Sequence, residues 1–419
     1  MKSANSFFII LFCMFAPFAV TMAQPGRYAE PVFEKALVTK GIPFSQAEKE
    51  GDGNITTLYF DFYEPAGDTA TLRPLVITVF GGAYVAGSRD FCDMEEYCTR
   101  LAKHGYLAAT IDYRLMSVLS ASAKNIIRQM FLAAQDVSSA IRYFKHYGNE
   151  YRIDTNNIFL LGNSAGSIAI LHEMFMEESE RPDETFAPPA LNSLHSSGFA
   201  EYAKESPKVA GAVAQWGGVL HTDIIDSAEC VPLCLIHGTA DESVPFDSGY
   251  CYSESFSFLM PYMYGSHPIS ERLSDIGFYD YEFHPVQGEE HAFYLSSLYQ
   301  LIDDKFDFCF NITRDFLLKH LDFSNSSSQE NLNKISDNGK FHVSVFPNPT
   351  KGDINIDFKT LDFQSVEVKL FDSYGNLIET QHGSADGIHI SLAGEAAGIY
   401  FLKIYSNGEF AAARKIVRY

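Results

Sequence analysis

Five residues, Gly162-Asn163-Ser164-Ala165-Gly166, constrain this chain more than any other stretch. They follow the apolar run Ile158-Phe159-Leu160-Leu161 and lead into Ser167-Ile168-Ala169-Ile170-Leu171-His172-Glu173-Met174, which suits a helix. A buried strand that turns at once into a helix leaves one side chain at the apex, and the flanking glycines remove Cβ atoms that would collide in so tight a bend. Ser164 is then presented at the carboxyl end of a sheet, beside the amides of a helix N-terminus, where negative charge is favoured. That is where a nucleophile for acyl transfer belongs. The plainer alternative is a small-residue turn in some other α/β fold.

A lone serine hydroxyl is a weak nucleophile, so Ser164 needs a base, a carboxylate to orient that base, and donors for a developing oxyanion. The loop after the apolar run 233–237 offers Asp241, with Glu242 and Asp247 as nearby rivals. His237 precedes the turn glycine and reads as structural. Among 13 histidines, His291 stands apart because Gln287-Gly288-Glu289-Glu290-His291-Ala292-Phe293 reads as a loop between the last strand and the last helix. Its rival, His284, falls at a strand end. The order Ser164, Asp241, His291 is one of three chain orders known for this constellation. Oxyanion donors are expected from the N–H of Ala165 and from the glycine-rich loop Phe80-Gly81-Gly82-Ala83-Tyr84-Val85-Ala86-Gly87, which singles out Gly82 and Ala83.

The flanking pattern suits that placement. Strand-like segments at 55–63, 75–80, 105–111, 158–161, 209–215, 233–237 and 278–284 alternate with helical ones. In 126–147, Ile127, Met130, Phe131, Ala134, Val137, Ile141 and Phe144 recur at three- and four-residue steps, which marks one buried helical face. Alternation of this kind predicts a mostly parallel sheet covered by helices on both sides. A long amphipathic segment, 292–320, closes the unit. Segment 177–206 is polar and irregular, and is either a lid or a surface excursion. With Tyr84 and the run Phe256, Phe258, Met260, Tyr262, Met263, Tyr264, it is expected to supply pocket walls, although any member of that run could simply be core.

The ends have a different character. Residues 1–23 read as a secretory signal: Lys2, an apolar centre at 7–20, and Thr21-Met22-Ala23 as cleavage site. The apolar centre is shorter than the ~20 residues of a spanning helix, and no later stretch is long enough either, so the mature chain should have no transmembrane span. Export leaves Cys92, Cys98, Cys230, Cys234, Cys251 and Cys309, an even number that permits disulfides. Cys92 with Cys98 and Cys230 with Cys251 are candidate pairs, whereas Cys234 reads as a buried thiol. With 31 basic against 53 acidic residues and a net charge of −22, nucleic acid and anionic lipid are poor partners. Residues 323–338 are polar without periodicity, as in a flexible linker. Beyond them, short alternating strands at 341–346, 354–358, 366–371, 388–392 and 399–405 imply a small all-β sandwich.

Two resemblances carry these readings further. Residues from about 50 to 320 resemble an α/β-hydrolase of the carboxylesterase and hormone-sensitive-lipase type. Phe80-Gly81-Gly82-Ala83 stands where that family has its His-Gly-Gly-Gly/Ala motif, Asp112-Tyr113-Arg114-Leu115 matches its Asp-Tyr-Arg-Leu, and Gly162-Asn163-Ser164-Ala165-Gly166 its Gly-x-Ser-Ala-Gly. Phe80 departs from the motif histidine. The resemblance implies an esterase acting on carboxylic ester substrates, with no metal or cofactor; a serine peptidase and a non-catalytic adhesion protein are the rival classes. The C-terminal stretch resembles the type A sorting domain of the bacterial type IX secretion system, in Val345-Phe346-Pro347-Asn348-Pro349-Thr350-Lys351-Gly352, Leu370-Phe371-Asp372-Ser373-Tyr374-Gly375-Asn376, Gly398-Ile399-Tyr400-Phe401-Leu402-Lys403-Ile404 and Lys415-Ile416-Val417. It implies the type IX machinery as partner, with export through the periplasm and secretion or attachment at the cell surface; a carbohydrate-binding sandwich is its rival. The expected division is signal 1–23, hydrolase 24–322, linker 323–338 and sorting domain 339–419.

Overall fold

The computed structural model describes residues 26–49, 54–196, 198–227, 230–252, 260–322, 342–346, 350–359, 366–372, 377–383, 387–396, 398–406 and 409–418. The expected signal (1–23), the linker (323–338), Phe256 and Phe258 lie outside them.

An eight-stranded sheet forms the frame, in the order β1 (Ala36–Glu48), β2 (Ile55–Pro65), β4 (Leu107–Ile111), β3 (Arg73–Val79), β5 (Ile153–Asn163), β6 (Gly211–Gln215), β8 (Leu233–Gly238) and β11 (Tyr281–Val286). From β4 to β11 every neighbouring pair is parallel, while β1 and β2 add an antiparallel edge. Every residue of β3 is buried. That burial explains why Leu75, Val76 and Ile77 run apolar without alternating, as expected for a parallel strand covered on both faces.

Helices α1 (Cys92–His104) and α6 (Asp303–His320) lie together, with the Tyr97 and Phe306 rings 4.7 Å apart. Helices α2 (Ala123–His146) and α4 (Ala165–Phe175) cover the other face, where Phe144 of α2 packs on Phe60 at 4.8 Å. Ser122 caps α2 by accepting from Asn125 N at 3.2 Å. Gly105 ends α1 in the left-handed region at φ 101°, bonding back to the carbonyls of Ala102 and Leu101. A one-turn helix α3 (Gly148–Tyr151) leads into β5. Beside the carboxyl ends of the strands sits a small sheet, β7 (Gly218–Val219), β10 (Tyr262–Gly265) and β9 (Ser248–Tyr250), followed by α5 (Ser266–Asp275).

Several expectations change. Strand β1 was unforeseen; its run of exposed residues and two register shifts, around Gly41 and Pro43-Phe44, hide any alternation. The expected helix 292–320 begins only at Asp303, because Ala292 at φ 51° and Tyr299 at φ 57° break it into turns closed by a Leu295–Leu301 bridge. Cys92, Cys98, Cys234, Cys251 and Cys309 are free thiols, so neither expected disulfide forms. Cys92 and Cys98 sit six residues apart on α1 and face different ways: one bonds the Tyr299 carbonyl, the other lies 3.4 Å from Thr78 Oγ1. Cys230 bonds the Asp226 carbonyl, and Cys251 is buried.

At the C-terminus a three-stranded sheet, β12 (His342–Phe346), β13 (Asp353–Lys359) and β16 (Ile388–Ser391), accompanies a four-stranded one, β15 (Leu377–Gly383), β14 (Val366–Phe371), β17 (Gly398–Ser406) and β18 (Glu409–Arg418). All pairings are antiparallel. Ile354, Ile356, Val368, Leu370, Ile390, Leu402, Ile404 and Ile416 fill the core between alternating outward residues. No helix among the described residues is long and apolar enough to cross a membrane.

Candidate active site

Strand β5 ends at Asn163 and α4 begins at Ala165, so the whole turn falls on Ser164, held at φ 50° and ψ −122°. A Cβ on Gly166 would lie 2.1 Å from the Val79 carbonyl oxygen, and one on Gly162 would lie 2.6 Å from the Gly166 backbone. Only glycines let helix and strands come this close. The Ser164 amide donates to the Gln215 carbonyl at 3.0 Å, which ties the apex to the neighbouring strand.

Ser164 Oγ lies 2.8 Å from His291 Nε2, and His291 Nδ1 lies 2.6 Å from Asp241 Oδ2. Asp241, fully buried at its side chain, can only accept, so His291 carries its hydrogen on Nδ1 and turns the Nε2 lone pair toward the serine hydroxyl. Asp241 has further partners: the amides of Ser243 and Val244 donate to Oδ1 at 2.8 and 3.0 Å, and His237 Nε2 lies 3.1 Å from Oδ2. Burial pushes this carboxyl up, but the hydrogen bonds from His237 and His291 outweigh it and hold the pKa at about 2.

The rivals stand elsewhere. Glu242 is exposed, Asp247 pairs with His267, and His284 faces Glu282 at 3.3 Å. His237 belongs to the strand end, as its place before the turn glycine implies, but it also does something the sequence hid. Its Nε2 faces two acceptors, Asp241 Oδ2 and the Val244 carbonyl, while Nδ1 lies 2.8 Å from Ser266 Oγ. It therefore props the carboxylate from behind, a role only the folded loop reveals.

The glycine-rich loop crosses the same mouth. Gly81 approaches so closely that a Cβ there would lie 3.1 Å from Ser164 Cβ, and Ala83 and Tyr84 take left-handed backbone at φ 50° and 63°. Tyr84 donates its hydroxyl to the Ala165 carbonyl at 2.9 Å, binding this loop to the helix that carries the third candidate donor. Phe80, in the place of a histidine, stacks on Tyr113 at 4.4 Å, and the Tyr113 hydroxyl donates to the Phe80 carbonyl at 3.1 Å. The neighbours of Tyr113 anchor it. Asp112 pairs with Arg89 at 2.8 Å, and Arg114 makes a buried pair with Asp136 of α2 at 2.8 Å. Aromatic stacking and the Tyr113 hydroxyl together support the loop from beneath.

Ala83, Tyr84, Ser164 and Ala165 open on an almost wholly apolar cavity of about 30 Å³, walled by Met130, Ile168, Val244, Cys251, Tyr252, Met260 and Met263. Tyr84, Met260 and Met263 are therefore wall residues, whereas Tyr262 points outward. Segment 177–206 lines a separate cavity of about 400 Å³ through Glu180, Arg181, Asp183 and Glu184, opposite His172 and His221. This segment is fastened down: Arg128 donates to the carbonyls of Glu184, Ala187 and Pro189, and Gln135 to those of Asn192 and Ser193.

Residues 60–228 match the BD-FAE family model, and residues 344–418 match that of the secretion system C-terminal sorting domain. The chain carries an esterase-type α/β-hydrolase domain and a secretion sorting tail. Among curated proteins, a probable isoprenylcysteine alpha-carbonyl methylesterase of Arabidopsis thaliana is 25% identical over 231 residues, 48% of this chain. The match spans 44% of that relative's length. Among solved structures, Thermogutta terrifontis esterase 2 phosphorylated by paraoxon is 20% identical with a TM-score of 0.47, covering 66% of this hydrolase chain and 94% of the other. The native form of that esterase is 19% identical with a TM-score of 0.46, covering 67% and 94%.

Proposed function

We propose that this hydrolase is an exported serine carboxylesterase that works through an acyl-enzyme on Ser164. The observation that carries the proposal is the unbroken line from Ser164 Oγ through His291 to Asp241, at 2.8 and 2.6 Å. His291 Nε2 takes the serine proton as Oγ attacks the ester carbonyl, and Asp241 stabilises the imidazolium through Nδ1–H. The amides of Gly82, Ala83 and Ala165 receive the oxyanion, a role supported for Ala83 and Ala165 by their place in the wall of the apolar cavity. His291 then gives its proton to the departing alcohol, and water, activated by the same imidazole, releases the acid.

The cavity beside Ser164 is small and walled by apolar side chains, which suits a short acyl group such as acetyl. The assignment of residues 1–23 as signal, 24–322 as catalytic unit, 323–338 as linker and 339–419 as sorting domain belongs to the same proposal. It makes the type IX machinery the partner of the tail, with delivery to the medium or the cell surface. The test is turnover of p-nitrophenyl acetate, butyrate and octanoate by the full chain and by Ser164→Ala. Turnover that falls with acyl length and vanishes in the variant is the expected result. Equal rates in both proteins would remove the esterase reading.

A further inference from the structure

Among the residues other than glycine that hold positive φ around the candidate site are Ser164 at 50°, Trp216 at 37° and Ala292 at 51°. Such strain persists only where the surroundings over-determine it. The chain neighbours of these three converge on one buried polar cluster. Asn163 precedes Ser164, Gln215 precedes Trp216, and Tyr294 follows Ala292 by two positions. At the centre is Asp93, in the first turn of α1 and fully buried. Asn163 Nδ2 donates to Asp93 Oδ2 at 2.5 Å, and the Tyr294 hydroxyl lies 3.0 Å from the same oxygen and 3.1 Å from Gln215 Oε1. The other carboxylate oxygen accepts from the Met94 amide at 2.8 Å.

The cluster also reaches the reacting groups through the backbone. Gln215 accepts the Ser164 amide, and the Trp216 ring packs on Tyr294 at 4.8 Å and lies 6.4 Å from the His291 ring. Among the described residues, Asp93 forms no ion pair, and its burial pushes its pKa up to about 6 despite the bonds from Tyr294, Met94 and Asn163. A buried carboxyl without a cation is costly unless its hydrogen bonds are made, and these bonds run to the segments that carry the strain.

We propose that Asp93 is a positioning residue that clamps the ends of β5 and β6 and the histidine loop together, so that Ser164 Oγ and His291 Nε2 stay at reacting distance. The proposal rests on the reading of Ser164 and His291 as nucleophile and base. It separates from a purely structural role because a misplaced pair slows chemistry without changing how the ester binds.

The experiment compares full-chain wild type, Asp93→Asn, Tyr294→Phe and the double variant, with Ser164→Ala as background. Two quantities are read: kcat and KM for p-nitrophenyl acetate, and the rate at which a p-nitrophenyl phosphonate labels the serine. Each single change should lower kcat and labelling about tenfold or more with KM within about twofold, and the double variant should be no slower than the slower single one. Rates within about twofold of wild type in folded variants, or losses that multiply, would overturn the clamp. Should Asp93→Asn fail to fold, Tyr294→Phe, which deletes one oxygen, decides by the same criteria. A wild type no faster than Ser164→Ala would instead remove the esterase reading on which the clamp depends.

Discussion

The hydrolase unit and the C-terminal β-unit solve the problem of stability in opposite ways. The tail's core cluster is aliphatic, with Tyr400 its sole polar-tipped member among the described residues. The hydrolase buries Asp93, Asp136, His172, Glu173, His237 and Asp241 among its apolar side chains. Strain divides in the same way. Positive-φ residues other than glycine occur at Ala83, Tyr84, Ser164, Trp216, Tyr252 and Ala292 around the candidate site, and at none of the described positions beyond 322. A unit that has only to be folded and recognised can rely on alternating apolar residues. One that must hold a hydroxyl, an imidazole and a carboxylate in line carries strained backbone and costly polar groups, and a large sheet offsets them.

The sharpest way to break that contrast is to damage each core in kind. Asp241→Asn keeps the shape of the side chain but removes the charge that selects the His291 tautomer, and kcat should fall about 10⁴-fold. Ile404→Asp places an unpaired carboxylate in the fully buried centre of the tail. It should expose the tail to protease and abolish export while leaving ester turnover per molecule within about twofold. Esterase assays beside limited proteolysis check both; a large loss of turnover in Ile404→Asp would show that the two units are not independent.

A finer version uses one methyl group. In Gly166→Ala the new Cβ must occupy a point 2.1 Å from the Val79 carbonyl oxygen, so the turn has to move and Ser164 with it. A displacement of about 1 Å costs on the order of 10²-fold in rate. Around Gly398 of the tail nothing lies within 4 Å of the same atom, and Gly398→Ala should change neither turnover nor unfolding. Equal behaviour of the two alanine variants would mean that the close approach at the elbow is not what holds the serine.

How much of this could be read from the chain follows from what each element depends on. The nucleophile turn was legible because its chemistry is local: a buried strand, two glycines and a helix, all within twenty residues. The centre of the sheet was legible because parallel strands such as β6 and β8 are wholly buried and show as largely apolar runs. Strand β1, by contrast, is largely exposed and bulged, so burial left no periodic trace. The β9–β10 pair depends on side chains such as Met263 that meet the cavity from outside the main sheet. His237 looked structural because its bond to Asp241 exists only once the loop has closed, and the clamp at Asp93 joins residues separated by 70 to 201 positions. Cysteine spacing misled because two thiols six apart on a helix point in different directions.

The smallest expected effect lies in the pH dependence of stability, and it again separates the units. Asp241 ordinarily titrates at 3.8 but is held at about 2 in the folded hydrolase, because the bonds from His237 and His291 overcome the cost of its burial. Its contribution is therefore fully present above pH 3.8 and is lost as pH falls through about 2, a difference of about 2 kcal/mol. Glu173 has the opposite sign. Burial raises it from 4.5 to about 8 against the pull of Arg142, so it favours the fold below pH 4.5 and withdraws that support as pH rises through about 8. Unfolding of the hydrolase unit, followed by Trp216, the chain's single tryptophan and fully buried, should thus be most resistant at intermediate pH. The Asp241→Asn variant should lose the acid-side slope between about pH 4 and 2 while keeping the alkaline one. The tail, with no carboxylate in its core cluster, should show neither limb when its own unfolding is followed by amide exchange. An acid limb unchanged in Asp241→Asn would place the stabilising carboxylate elsewhere in the hydrolase.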